Sequence, residues 1–224
     1  MSSVSNIAIG AHLAGNAAVK ARHGMNESIA RLSTGMRSVY GGDAAGQSVA
    51  NTLEARSKSW AVAARNAEDG ISAAQTAESA LLEIASLAQR LRELGIQADN
   101  AALLSTTNDV AALNSEVDAV TTAIEAIVDT TTFNGVTLLD NSNVLLTIGV
   151  TDAGGTVVLK TTAITDNSGT NTADGAETGA DTTLKEVAIA LGNIAAGISS
   201  LKGRQAVAYS ASANLAAAAA RIED

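Results

Sequence analysis

The chain has 224 residues, no Cys, no Pro, two His and a formal charge of −9. Without Cys there are no disulfides, thiolate nucleophiles or Cys metal ligands, and without Pro every backbone N–H can join a helical ladder. Charge is segregated: residues 1–42 carry a net +3, residues 43–182 carry −13 and residues 183–224 carry +1, which excludes a nucleic-acid partner, since phosphates require clustered Lys and Arg.

The apolar 46% of the chain is mainly Ala, Val, Ile and Leu, with one Trp, one Phe and two Tyr. Such a composition predicts thin cores between closely approached helices. No apolar run approaches the roughly 18 residues of a membrane helix, so no membrane insertion is expected. The first basic residue is Lys20, so no charged region precedes an apolar block as in a secretory signal.

In chain order, Val4, Ile7, Ala11, Ala14, Ala18, Ala21, Met25 and Leu32 recur at helical spacing. Six glycines in the first 42 positions make this a weak helix by itself, each costing about 0.5–1 kcal/mol relative to Ala. Residues 1–42 are therefore expected to order against a partner. Gly41-Gly42-Asp43 is a break, with Asp43 an N-cap for a second helix from Ala44 to about Gln97. A third seam, Val110, Leu113, Val117, Val120, Ile124 and Ile127, follows a polar stretch.

After Thr130 the pattern changes. Alternating runs Val144–Val150 and Thr156–Thr162 flank Gly154-Gly155 and predict a β-hairpin over 144–162. Residues 166–182 read as a flexible loop, and Thr183 with Glu186 as a capping box opening the last helix. That helix carries an unbroken 3-4 seam: Leu184, Val187, Leu191, Ile194, Ile198, Leu201, Gln205, Ala208, Ser212, Leu215, Ala219 and Ile222. At about 1.5 Å per residue this is a rod of roughly 58 Å. The seam reads as a surface for assembly with identical copies, and the polar Gln205 and Ser212 within it as packing or register positions. It is still in register at Ile222, with no Gly or Pro stop, so further helix is expected after Asp224. Poor native polymerisation of the 224-residue species is expected with it. The fold class is mainly α: an elongated antiparallel helical bundle with a small hairpin, residues 1–42 forming one segment and 43–224 a helical rod.

Site chemistry is sparse. His12 and His23 are eleven residues apart, about 16.5 Å along a shared helix, whereas a common metal ion needs donors at about 2.1 Å. There is no Walker loop and no GxGxxG. Adjacent acids such as Glu68-Asp69 diverge on a helix and do not form a glycosidase pair. No enzyme, cofactor or metal is expected.

Three blocks run in order along the chain: Arg31-Leu32-Ser33-Thr34-Gly35 with Arg37 and Asp43-Ala44-Ala45-Gly46, then Arg65-Asn66-Ala67-Glu68-Asp69-Gly70-Ile71-Ser72, then Gln89-Arg90-Leu91-Arg92-Glu93-Leu94. In this combination they resemble the N-terminal signature and the two following blocks of bacterial flagellin. Phe133-Asn134-Gly135-Val136 resembles the family motif before the hairpin, and Ala220-Arg221-Ile222-Glu223-Asp224 the passage from outer-core to inner-core helix. The resemblance implies a structural subunit of the flagellar filament that assembles with itself into a hollow helical propeller for swimming. It implies export through the flagellar type III channel without a cleaved signal peptide, an extracellular place, and export chaperone, cap and junction proteins as partners. It also implies that residues 1–42 form the inner core and that Gln89, Arg90, Leu94 and Glu116 form a surface shared by filament contacts and an animal innate immune receptor. The segment Ser38-Val39-Tyr40-Gly41-Gly42 departs from the family pattern in a stretch read by plant receptors. A hook-filament junction protein and a soluble helical binding module are the alternatives.

Overall fold

The computed structural model describes residues 2–36, 43–100, 108–140, 142, 144–164 and 172–223. The described elements are α1 (Ser2–Thr34), α2 (Ala44–Ala98), α3 (Asp109–Thr130), β1 (Thr132–Phe133), β2 (Val136–Thr137), β3 (Leu145–Gly149), β4 (Thr156–Lys160) and α4 (Ala176–Glu223). Mainly α is therefore the fold class. The chain divides into two compact units, Met1–Lys58 with Ala211–Asp224, and Ser59–Ser210.

In the Ser59–Ser210 unit, small residues of α2 let neighbours approach closely. Ala67, Ala73, Ala74, Ala77, Leu81 and Ile84 join Ile124 and Val128 of α3, Val187, Ala190, Ile194 and Leu201 of α4, and Ile148, Val157 and Leu159 of the hairpin in one core. A second cluster joins Leu91 and Leu94 of α2, Leu113 and Val117 of α3, and Ala173, Ala176 and Ala180. The α2 and α4 segments run antiparallel: Arg92 meets Asp181 at 2.9 Å, while Glu68 meets Gln205 at 2.9 Å and Tyr209 at 2.6 Å. A Cβ added at Gly95 would sit 2.4 Å from the Glu177 backbone nitrogen, so only glycine fits this crossing.

Strands β3 and β4 pair antiparallel from Leu145↔Lys160 to Gly149↔Thr156, as the alternation predicts. Ile148, Val157 and Leu159 point inward. Of the predicted α3 seam, Leu113, Val117 and Ile124 are buried and Val110, Val120 and Ile127 half-buried, while Val128 rather than Ile127 takes the last buried position. The pairing of β1 with β2, Thr132↔Thr137 and Phe133↔Val136, has no forerunner in the alternation pattern. It is made by Asn134 (φ 50°) and Gly135 (φ 76°), two positive-φ residues that close a tight hairpin.

Two expectations about the last helix are corrected. α4 starts at Ala176 rather than at Thr183, whose hydroxyl donates to the Gly179 carbonyl at 3.2 Å inside the helix. Burial of Ala176 and Ala180 against Leu91 and Leu94 overrides the loop-like composition. Of the anticipated loop 166–182, residues 166–171 lie outside the described residues. By length and hydropathy α4 also qualifies as a membrane span, contrary to the sequence reading, yet its stripe packs in a protein core.

In the other unit, the Asp43 carboxylate accepts the Gly46 N–H at 2.8 Å, the predicted N-cap. Ser57 Oγ donates to the Ser212 carbonyl at 2.8 Å and lies 3.3 Å from Ser212 Oγ, and Ala50 is fully buried. α1 continues to Thr34 despite its glycines and closes where the Gly35 N–H bonds the Arg31 carbonyl at 2.8 Å with φ 70°, a left-handed cap.

Candidate interaction surfaces

From Ile7 to Thr34 every residue of α1 is exposed except the half-buried Ala30. Seven large apolar side chains are among them: Ile7, Ile9, Leu13, Val19, Met25, Ile29 and Leu32, the last 86% exposed. At about 100° per residue, Ile7, Met25, Ile29 and Leu32 share one face while Ile9 and Leu13 occupy the opposite one. A helix apolar on two faces is normally enclosed by other polypeptide. His12 and His23 are exposed on this helix.

The expected assembly seam of α4 is placed differently. Val187, Ile194 and Leu201 are buried in the chain's own core, and Leu184, Leu191 and Ile198 are half-buried beside them. Leu215 and Ile222, in the unit that holds α1, are half-buried as well. The seam is occupied by α2, α3 and the hairpin because they carry matching apolar stripes. Gln205 of the seam and Tyr209, one turn on and outside it, clip α4 to α2: Gln205 Nε2 and Tyr209 Oη both donate to Glu68 Oε1. Glu68 raises the Tyr209 phenol above the ordinary range, chiefly through that hydrogen bond. Sequence offers no local signal for this pairing, whose partners are 137 and 141 positions apart.

Of the four residues expected on the shared recognition surface, Arg90 and Glu116 are in contact. Arg90 Nε and Nη2 donate to Glu116 Oε1 at 3.0 and 2.5 Å, and Nη1 donates to Glu93 Oε2 at 3.1 Å. The hydrogen bonds to Glu116 and then Glu93 hold the guanidinium pKa above its usual value. Gln89 is exposed alongside. Leu94 is not on that surface: it is 0% exposed, because Ala173, Ala176 and Ala180 cover it together with Leu113 and Val117.

An open groove of about 680 Å³ lies between α2 and the two hairpins, lined by Asn66, Asp69, Phe133, Asn134, Val136 and Ile148 among others. Asn66 Nδ2 donates to the Gly149 carbonyl at 3.2 Å across one end. Asp69 is the single titratable lining residue, so the groove offers contact area and no acid–base pair. Among the described residues no group of three His, Asp or Glu is placed to hold a metal.

The family model for the bacterial flagellin N-terminal helical region matches residues 6–144. A flagellin of Xenorhabdus nematophila is 39% identical over 155 residues, covering 68% of this chain and 49% of that protein. A flagellin of Halalkalibacterium halodurans is 40% identical over 162 residues, covering 71% and 58%. The chain thus spans about half the length of these relatives. The crystal structure of Bacillus cereus flagellin superposes with a TM-score of 0.45 at 23% identity, over 67% of this chain and 88% of that one. A match that runs through α1, α2, α3 and the β1–β2 turn places this chain in the bacterial flagellin family.

Proposed function

We propose that the chain is a structural subunit of the bacterial flagellar filament, lying outside the cell and acting mechanically rather than as an enzyme. Copies associate in a repeating arrangement that propagates because it does not close. The observation that carries this reading is α1: seven large apolar side chains exposed on one 33-residue helix are stable in water only when another polypeptide covers them. In this reading residues 1–42 form the filament's inner segment. Export proceeds through the flagellar type III channel without a cleaved signal, with export chaperone, cap and junction proteins as further partners. The reading is tested by sedimentation and electron microscopy of the chain against a Leu13→Glu/Leu32→Glu variant. The parent associates through α1 with rising concentration, short of native filaments, and the variant stays monomeric. A parent that stays monomeric, or a variant that associates equally, overturns it.

A second reading concerns the free monomer. Arg90 and Glu116 form an exposed ion pair and Gln89 is exposed next to Arg90 in sequence, and we propose that an animal innate immune receptor engages these residues. Loss of reporter-cell signalling in Arg90→Ala with an unchanged melting curve supports this. An undiminished response, or no response to the parent at saturating dose, sinks it.

A further inference from the structure

The chain has no Cys and three Met, at positions 1, 25 and 36. Every sulfur atom therefore lies in the first 36 residues of the sequence, and neither core cluster nor the groove contains one. The Met25 residue is 58% exposed and Met36 is 45% exposed. Met25 shares its helix face with Ile29 and Leu32, four and seven positions on. An exposed thioether is open to two-electron oxidants, whereas a core without sulfur offers such oxidants no easy target.

We infer that Met25 and Met36 are redox-modification sites, and that their conversion to sulfoxide weakens association through α1 while leaving the Ser59–Ser210 core intact. A sulfur lone pair attacks a peroxide oxygen, the O–O bond breaks and an S–O bond forms. Sulfur gives up two electrons, and the departing hydroxide takes the proton of the transferred oxygen to become water. The product puts a polar S=O on a face that carries Ile7, Ile29 and Leu32, where contact with another copy would bury it at a desolvation cost. Met36 follows the left-handed Gly35 that ends α1, and its N–H meets Thr34 Oγ1 at 3.4 Å. The consequence rests on the filament-subunit reading; the sites themselves do not.

The test uses the full chain and hydrogen peroxide. Tryptic peptides spanning residues 23–31 and 32–37 each gain about 16 Da, the mass of one oxygen. Self-association measured by sedimentation falls at least about tenfold, as expected when a polar group replaces a buried apolar one. The melting curve of the helical core stays unchanged, and methionine sulfoxide reductases restore association. A Met25→Leu/Met36→Leu variant, close in volume and apolar, associates like the parent, and its association is unchanged by peroxide. An oxidised chain that associates as before overturns the inference, as does a Leu variant that loses association on the same treatment. A core melt that shifts with oxidation overturns it too. An untreated chain that never associates overturns the filament-subunit reading and this one with it, an outcome distinct from association that is merely insensitive to peroxide.

Discussion

Arg90 and Leu94 stand one helical turn apart, yet one is a surface ion-pair partner and the other is fully buried. The sequence carried both answers: the 3-4 spacing of Leu81, Ile84, Ala88, Leu91 and Leu94 puts Leu94 on the core stripe, while resemblance to a recognition motif put it on the surface. Periodicity was the better guide, because it reports burial directly. Leu94→Ala is therefore expected to cost about 2–5 kcal/mol of core stability, whereas Gln89→Ala stays within about 0.5 kcal/mol. Urea melts followed by circular dichroism distinguish them, and any loss of receptor signalling in the Leu94 variant would then reflect folding. Thr121 gives a prediction of opposite sign. Its hydroxyl is buried and finds no hydrogen-bond partner among the described residues. Thr121→Val, nearly equal in shape, should raise stability by about 1 kcal/mol in the same melts. A lower midpoint would show that the hydroxyl is satisfied in solution.

At the level of elements, α2, α3 and the β3–β4 hairpin were legible because their periods of 3.6 and 2 run unbroken and their breaks carry Gly or an N-cap. The early start of α4 was not legible. Residues 172–182 are rich in Thr, Asp, Gly and Ala, and the helix holds there because Ala176 and Ala180 find Leu91, Leu94 and Val117, contacts far apart in sequence. The close crossing at Gly95 has the same origin. Gly95→Ala puts a methyl against Glu177 backbone, which cannot rotate away, so a loss of about 1–3 kcal/mol is expected despite the gain in helix propensity. Gly24→Ala is the control: nothing lies within 4 Å of its added Cβ, and helicity of α1 should rise by the equivalent of about 0.5–1 kcal/mol. Similar effects from the two substitutions would contradict the packing described for α4 on α2.

For the molecule as a whole, the sequence made the apolar seams look like surfaces awaiting other copies. The structure divides them. The seam of α4 is consumed internally by Val187, Ile194 and Leu201, while α1 keeps Ile7, Leu13, Met25 and Leu32 in solvent. Spacing alone cannot make that division, since an internal seam and an external one share the same 3-4 pattern. The account therefore rests on one asymmetry: a core that is complete within one chain and a helix that is not. Hydrogen exchange read by mass spectrometry, on dilute monomer and on the associated state, tests it most directly. The account predicts that amides over residues 7–34 exchange rapidly in the monomer and gain at least about tenfold protection on association, while those of α2 and α4 that face the core are protected in both states. Protection of residues 7–34 in the dilute monomer, or association that leaves them unprotected, would contradict it.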